Sequence, residues 1–140
     1  YRHFDGKQDV LAAMLVDAST NLRSGAQRVI EHAATPRAAL ESLVKFHVNF
    51  ALGNADVIRV QDRDLDSLAA SDQHEVRTLQ RSYVELWVGV LSQINPDAAT
   101  AELRTRAHAT FGLINSTPHS GRAGATRAVL ERMALAALNA

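Results

Sequence analysis

Apolar residues recur at three- and four-residue spacings along almost the whole chain, and nowhere do they alternate cleanly with polar ones. That period belongs to α-helices with one buried face. The β-branched runs are too short to set up a competing strand pattern. A first long helix is expected after Asp5, a good N-cap, with Val10, Leu11, Met14, Leu15, Ala18, Leu22, Val29 and Ile30 along one face. Gly25 interrupts that stripe and reads as a bend point. Thr35 followed by Pro36 opens a second helix, because proline at the first helical position gives up only an N–H that has no partner there. Its face is Leu40, Leu43, Val44, His47, Phe50 and Ala51, and Gly53-Asn54 ends it, with the glycine available for a left-handed cap.

A short helix is expected from Ala55 to about Arg63, then a polar stretch, then a helix opening at Ser71-Asp72. This helix carries Val76, Leu79, Tyr83, Leu86, Trp87, Val90, Leu91 and Ile94, and it stops at Asn95-Pro96, since proline disfavours helix in the residue before it. A fifth helix covers about Asp97 to Asn115, with Leu103, Ala107, Phe111 and Ile114 on one face. Ser116 to Gly121 breaks the pattern before a last helix over about Ala123 to Leu138. The expected architecture is an all-α bundle of about six helices, with residues 5–140 forming one domain.

Composition removes several functions. Fifteen basic and fifteen acidic residues cancel, so this segment has no bulk field to hold a polyanion. Cysteine is absent, which excludes disulfides, thiolate zinc sites and cysteine nucleophiles and fits a reducing compartment. No apolar run reaches the length of a membrane span. The acidic run Asp62-Arg63-Asp64-Leu65-Asp66 places acids where a calcium loop wants its first three. Ser67 stands where that loop needs glycine, though, and Gln73 where it needs a bidentate glutamate, so a solvated turn is the better reading. Six histidines are scattered without an i, i+4 pair, and no phosphate-cradling loop or nucleophile elbow occurs. Nothing supports an enzyme, a metal site or a cofactor.

Two patterns remain. Phe46 and Phe50, and Tyr83 and Trp87, lie one helical turn apart, with His47 beside Phe46 and Phe111 midway along the fifth helix. Such aromatics build either a plain core or an apolar ligand pocket carrying a few polar groups, and the spacing leaves both open. The final helix is apolar around much of its circumference through Leu130, Met133, Ala134 and Ala137. The fifth presents Thr105, His108 and Gly112 away from its core face. That excess points to a partner surface, most simply a second copy of the chain, or else to burial of the last helix within the monomer.

The opening residues join these patterns. Tyr1-Arg2-His3-Phe4-Asp5-Gly6-Lys7-Gln8-Asp9-Val10-Leu11 resembles the end of the helix-turn-helix of TetR-family transcriptional repressors, which carries an aromatic-x-His-Phe, a short polar turn, then lysine. The segments Ile58 to Leu65, Ser82 to Trp87 and Phe111 to Ser120 are similar to a lipid- or acyl-CoA-sensing branch. The resemblance implies that residues 1–4 are the remnant of a DNA-binding head, with Tyr1, His3 and Lys7 at or near the operator backbone. It implies a cytoplasmic homodimer formed by the last two helices. It also implies an apolar small-molecule effector held among Phe46, His47, Phe50, Ile58, Tyr83, Trp87, Phe111 and Asn115, whose binding releases DNA. The alternative is a ligand-free helical dimerisation or interaction module.

Overall fold

The computed structural model describes residues 6–116 and 123–140, and among these it has six α-helices and no strand. They are α1 (Lys7–His32), α2 (Pro36–Gly53), α3 (Ala55–Asp64), α4 (Ala70–Ile94), α5 (Thr100–Asn115) and α6 (Ala123–Leu138), with a single 3₁₀ turn, Leu65–Ser67, ahead of α4. The all-α bundle expected from the periodicity is what the chain forms.

Local chemistry sets the boundaries. Thr35 caps α2 as its Oγ1 accepts from the Ala38 N–H at 3.1 Å, with Pro36 in the first turn. Three expected starts move, while α2 ends at Gly53-Asn54 as expected, though without a left-handed glycine cap. Gly6, at φ 142°, stands at the N-cap of α1 in place of Asp5, a backbone conformation that glycine adopts without strain. Gly53 stays inside α2, and the helix is closed by Asn54, whose Nδ2 donates to the Phe50 carbonyl at 3.0 Å. α4 begins slightly earlier, at Ala70, without a side-chain cap. α5 begins later, at Thr100, because the Ala98 N–H bonds the Asn95 carbonyl at 3.1 Å and closes a tight turn through Pro96 and Asp97.

α1 packs on α2 and α4, α4 on α5, and α6 closes against α2 and α5. The main core lies between α2, α4, α5 and α6, where Leu43, Trp87, Leu91, Leu103, Ile114 and Leu138 are fully buried. A smaller core joins Ala12, Leu15 and Val16 of α1 to Leu68 and Val76. Gly25 does not interrupt α1, which is one continuous helix of 26 residues. It is buried against the ring of Phe46, and a Cβ there would sit well inside the ring's van der Waals surface. Glycine serves here as the point of close approach between α1 and α2.

The acidic run spans the end of α3 and the start of the 3₁₀ turn, so its first three residues are helical where a solvated turn was expected. Arg63 donates to Asp64 at 2.9 Å, Arg77 to Asp66 at 2.6 Å, and Arg59 pairs with Asp56. Gln73 donates to the carbonyls of Leu68 at 2.8 Å and Asp66 at 3.0 Å, which ties the 3₁₀ turn to the start of α4.

Candidate functional site

Between the two cores the helices leave a cavity of about 220 Å³. Its walls come from Ser19 and Leu22 of α1, His47 and Phe50 of α2, and Ile58 and Gln61 of α3. Leu79, Gln80, Tyr83 and Val84 of α4 and His108, Phe111 and Asn115 of α5 complete it. Five helices thus meet at one small space. A cluster of rings forms its floor: Phe111 lies 4.9 Å from His47 and 5.6 Å from Tyr83, centroid to centroid, and Trp87 stands edge-on to Phe111 at 4.9 Å.

His47 organises the polar side of the cavity. It is buried, with Nδ1 2.7 Å from the Tyr83 hydroxyl and Nε2 3.0 Å from Asn115 Oδ1. The Asn115 oxygen only accepts, so Nε2 carries the imidazole proton; the bare Nδ1 then accepts from the Tyr83 hydroxyl. One ring therefore links α2 to α4 and to the last residue of α5. Burial holds His47 down to about 4, partly offset by its bond to Asn115, so the imidazole is neutral at physiological pH. Burial likewise raises the Tyr83 phenol, and the hydroxyl keeps its proton. Such a site positions neutral hydrogen-bonding groups in an apolar wall. It has no activated nucleophile, and among the described residues no three of His, Asp and Glu come together to hold a metal ion.

Six of the eight residues expected around an effector, His47, Phe50, Ile58, Tyr83, Phe111 and Asn115, line this cavity. Two do not. Phe46 turns toward Gly25, and Trp87 is wholly buried behind Tyr83 and Phe111. The spacing pattern did not single out Ser19, Gln61 or Gln80. Gln80 was within reach of it, because 80, 83, 84 and 87 fall on one helical face and the glutamine continues the line of Tyr83, Val84 and Trp87.

The residues expected at a dimer interface divide. Leu130 and Ala134 are buried within the chain and belong to its core. Thr105 and Gly112 are exposed, Met133 is 49% and neighbouring Val129 42% exposed, and Ala137 is half-buried. His108 is exposed, lines the cavity and stands edge-on to Phe111. Of the residues expected near DNA, Lys7 is exposed at the start of α1, whereas Tyr1 and His3 lie outside the described residues.

Among the described residues no helix is long and apolar enough to cross a membrane. No curated protein sequence matches the chain. A crystal structure of a TetR-family transcriptional regulator from Bordetella parapertussis superposes with a TM-score of 0.85 at 25% identity, covering 97% of this chain and 73% of that one. The TetR-family regulator PfmR from Thermus thermophilus shares the fold, with a TM-score of 0.80 at 15% identity over 98% of this chain and 78% of that one. Residues 33–119 match the profile of the family described as tetracyclin repressor-like, C-terminal domain. The chain therefore belongs to the TetR family of transcriptional regulators, of which these residues form the C-terminal domain.

Proposed function

We propose that this chain senses a small, largely apolar molecule as a homodimer, and that occupancy of the cavity releases operator DNA from a helix-turn-helix head attached ahead of residue 5. The observation that carries the reading is the cavity itself, walled by rings and crossed by one satisfied polar chain, Tyr83–His47–Asn115. A ligand there touches α1 through Ser19 and Leu22, and α1 runs back to Lys7. Binding would favour one arrangement of α1 over another and shift the population of dimers whose recognition helices match half-sites one DNA turn apart. In this reading Lys7, with Tyr1 and His3, holds phosphate oxygens and reads no bases. The rival, a fully packed interaction module, is disfavoured by the cavity beside Tyr83.

The dimer surface would combine Thr105, Ala109 and Gly112 of α5, small and exposed, with Val129 and Met133 of α6. Light scattering after size exclusion should give a dimer at micromolar concentration, and Met133→Glu should shift it toward monomer. A wild-type monomer would refute that half of the proposal. Trp87 packs on two residues of the cavity floor, so its fluorescence should respond when apolar compounds bind. A panel that leaves both the Trp87 emission and the melting temperature unmoved would refute the sensing half.

A further inference from the structure

The cavity has a chemical signature beyond being apolar. None of its wall residues is Asp, Glu, Lys or Arg. The deepest ionisable group, His47, is bonded through both nitrogens as a neutral ring. Tyr83 has committed its only proton to His47, so toward the cavity it offers lone pairs alone. Among the described residues two buried side-chain donors have no hydrogen-bond partner, Gln80 Nε2 and Trp87 Nε1, and of the two only the glutamine lines the cavity. A buried amide without a partner is costly and seldom left so. An acceptor delivered into the cavity would satisfy it.

We infer that the cavity selects an uncharged molecule with an apolar body and one carbonyl-type acceptor, a ketone, ester, lactone or amide, whose oxygen accepts from Gln80 Nε2. This rests on the effector-sensing reading above and narrows it. A carboxylate would satisfy the same amide, but no lysine or arginine lines the wall to balance its charge, the imidazole other than His47, that of His108, is exposed, and an uncompensated charge in such a site is strongly disfavoured. Arginines do lie close by, in a groove that shares Gln80, Val84 and His108 with the cavity. They are spent elsewhere in part: Arg104 binds Glu85 at 2.7 Å and Arg77 binds Asp66 at 2.6 Å. A volume of about 220 Å³ lies below the ~300–1,000 Å³ range of drug-sized pockets, which favours a compact ligand.

Four probes of one shape test the inference by calorimetry on the whole chain: butyrophenone, butylbenzene, phenylbutyrate and phenylbutylamine. Butyrophenone should bind up to about tenfold more tightly than butylbenzene, the worth of one net hydrogen bond, and both charged probes should bind more weakly than either. Gln80→Leu should erase the preference for the ketone while keeping butylbenzene binding, and that retained binding serves as the check that the variant is folded. Phenylbutyrate binding as tightly as butyrophenone would overturn the neutral-ligand claim. A ketone preference that survives in Gln80→Leu would overturn the role of Gln80. In both cases the sensing reading would stand, whereas binding by none of the four would remove that reading and this inference together.

Discussion

His47 should make the fold acid-sensitive in a window that the structure defines. The imidazole is buried and held at about 4, against 6.5 when exposed. The folded protein therefore binds fewer protons than the unfolded chain at pH values between about 4 and 6.5. The contribution is complete above about pH 6.5, declines as pH falls, and is exhausted once pH passes below about 4. Across the whole window it amounts to roughly 3 kcal/mol, and between about pH 7.5 and about pH 5 to about 2 kcal/mol. That is a large share of the ~5–15 kcal/mol by which domains are stable. Urea unfolding at the two pH values measures it, with His47→Gln as reference. The surface carboxylates titrate in both proteins, so the difference between their profiles isolates the imidazole. Wild type should lose about 2 kcal/mol more than His47→Gln on moving to the lower pH. Proton NMR should locate the one imidazole resonance missing from the variant and find its midpoint near 4. Parallel unfolding profiles, or a midpoint near 6.5, would show that the ring is not desolvated and would undo the tautomer argument with it.

Three further outcomes follow from particular contacts. Gly25→Ala should cost about 1–3 kcal/mol by driving a methyl into the Phe46 ring, and adding Phe46→Leu should recover part of it, which denaturation of the two variants checks. Tyr83→Phe should cost about 1–3 kcal/mol, because His47 Nδ1 loses its donor in a buried site, and a urea midpoint reads this directly. Arg104→Ala should change stability by less than about 1 kcal/mol although its bond to Glu85 is short, since both side chains are exposed; a thermal melt is enough to test it.

What could be read from the sequence is what short-range chemistry decides. Thr35 and Pro36 announce α2 because cap and capped amide lie three residues apart. The stripe through Val76, Tyr83, Trp87 and Leu91 announces α4 because one turn repeats another. The start of α5 was misplaced because Asn95 to Ala98 close a turn of their own before a helix can begin. Gly25 is ambiguous in the sequence for a different reason. A gap in an apolar stripe looks the same whether it bends the helix or admits a neighbour, and the neighbour, Phe46, lies on another helix. The same limit applies at the cavity. The ring-bearing faces of α2 and α4 were visible, so most of the wall could be named in advance. The partners of His47 lie 36 and 68 residues away, and no periodicity encodes which polar groups meet across a bundle. The orphan amide of Gln80 likewise exists only once α4 is packed.

The geometry of α1 also bears on how a signal would leave the cavity. The helix is continuous, and it is pinned on both sides of the cavity wall, by fully buried Leu15 in the smaller core and by Gly25 and Ala26 against α2. Ser19 and Leu22 lie between these anchors. A push at Ser19 that also shifts Leu15 within the smaller core would tilt the helix about its tighter contact, Gly25 against Phe46. With the Gly25–Phe46 contact as pivot, Ser19 is roughly 9 Å and Lys7 roughly 27 Å along the axis, so a displacement at the cavity is magnified about threefold where α1 begins. If the pivot is what converts occupancy into motion, Gly25→Ala should separate the two. In a protein carrying its DNA-binding head, the variant should still bind butyrophenone, yet show a smaller change in operator affinity when it does. An undiminished change in operator affinity, measured by fluorescence anisotropy at saturating ligand, would mean that α1 does not turn about Gly25 and that the signal leaves the cavity through other helices.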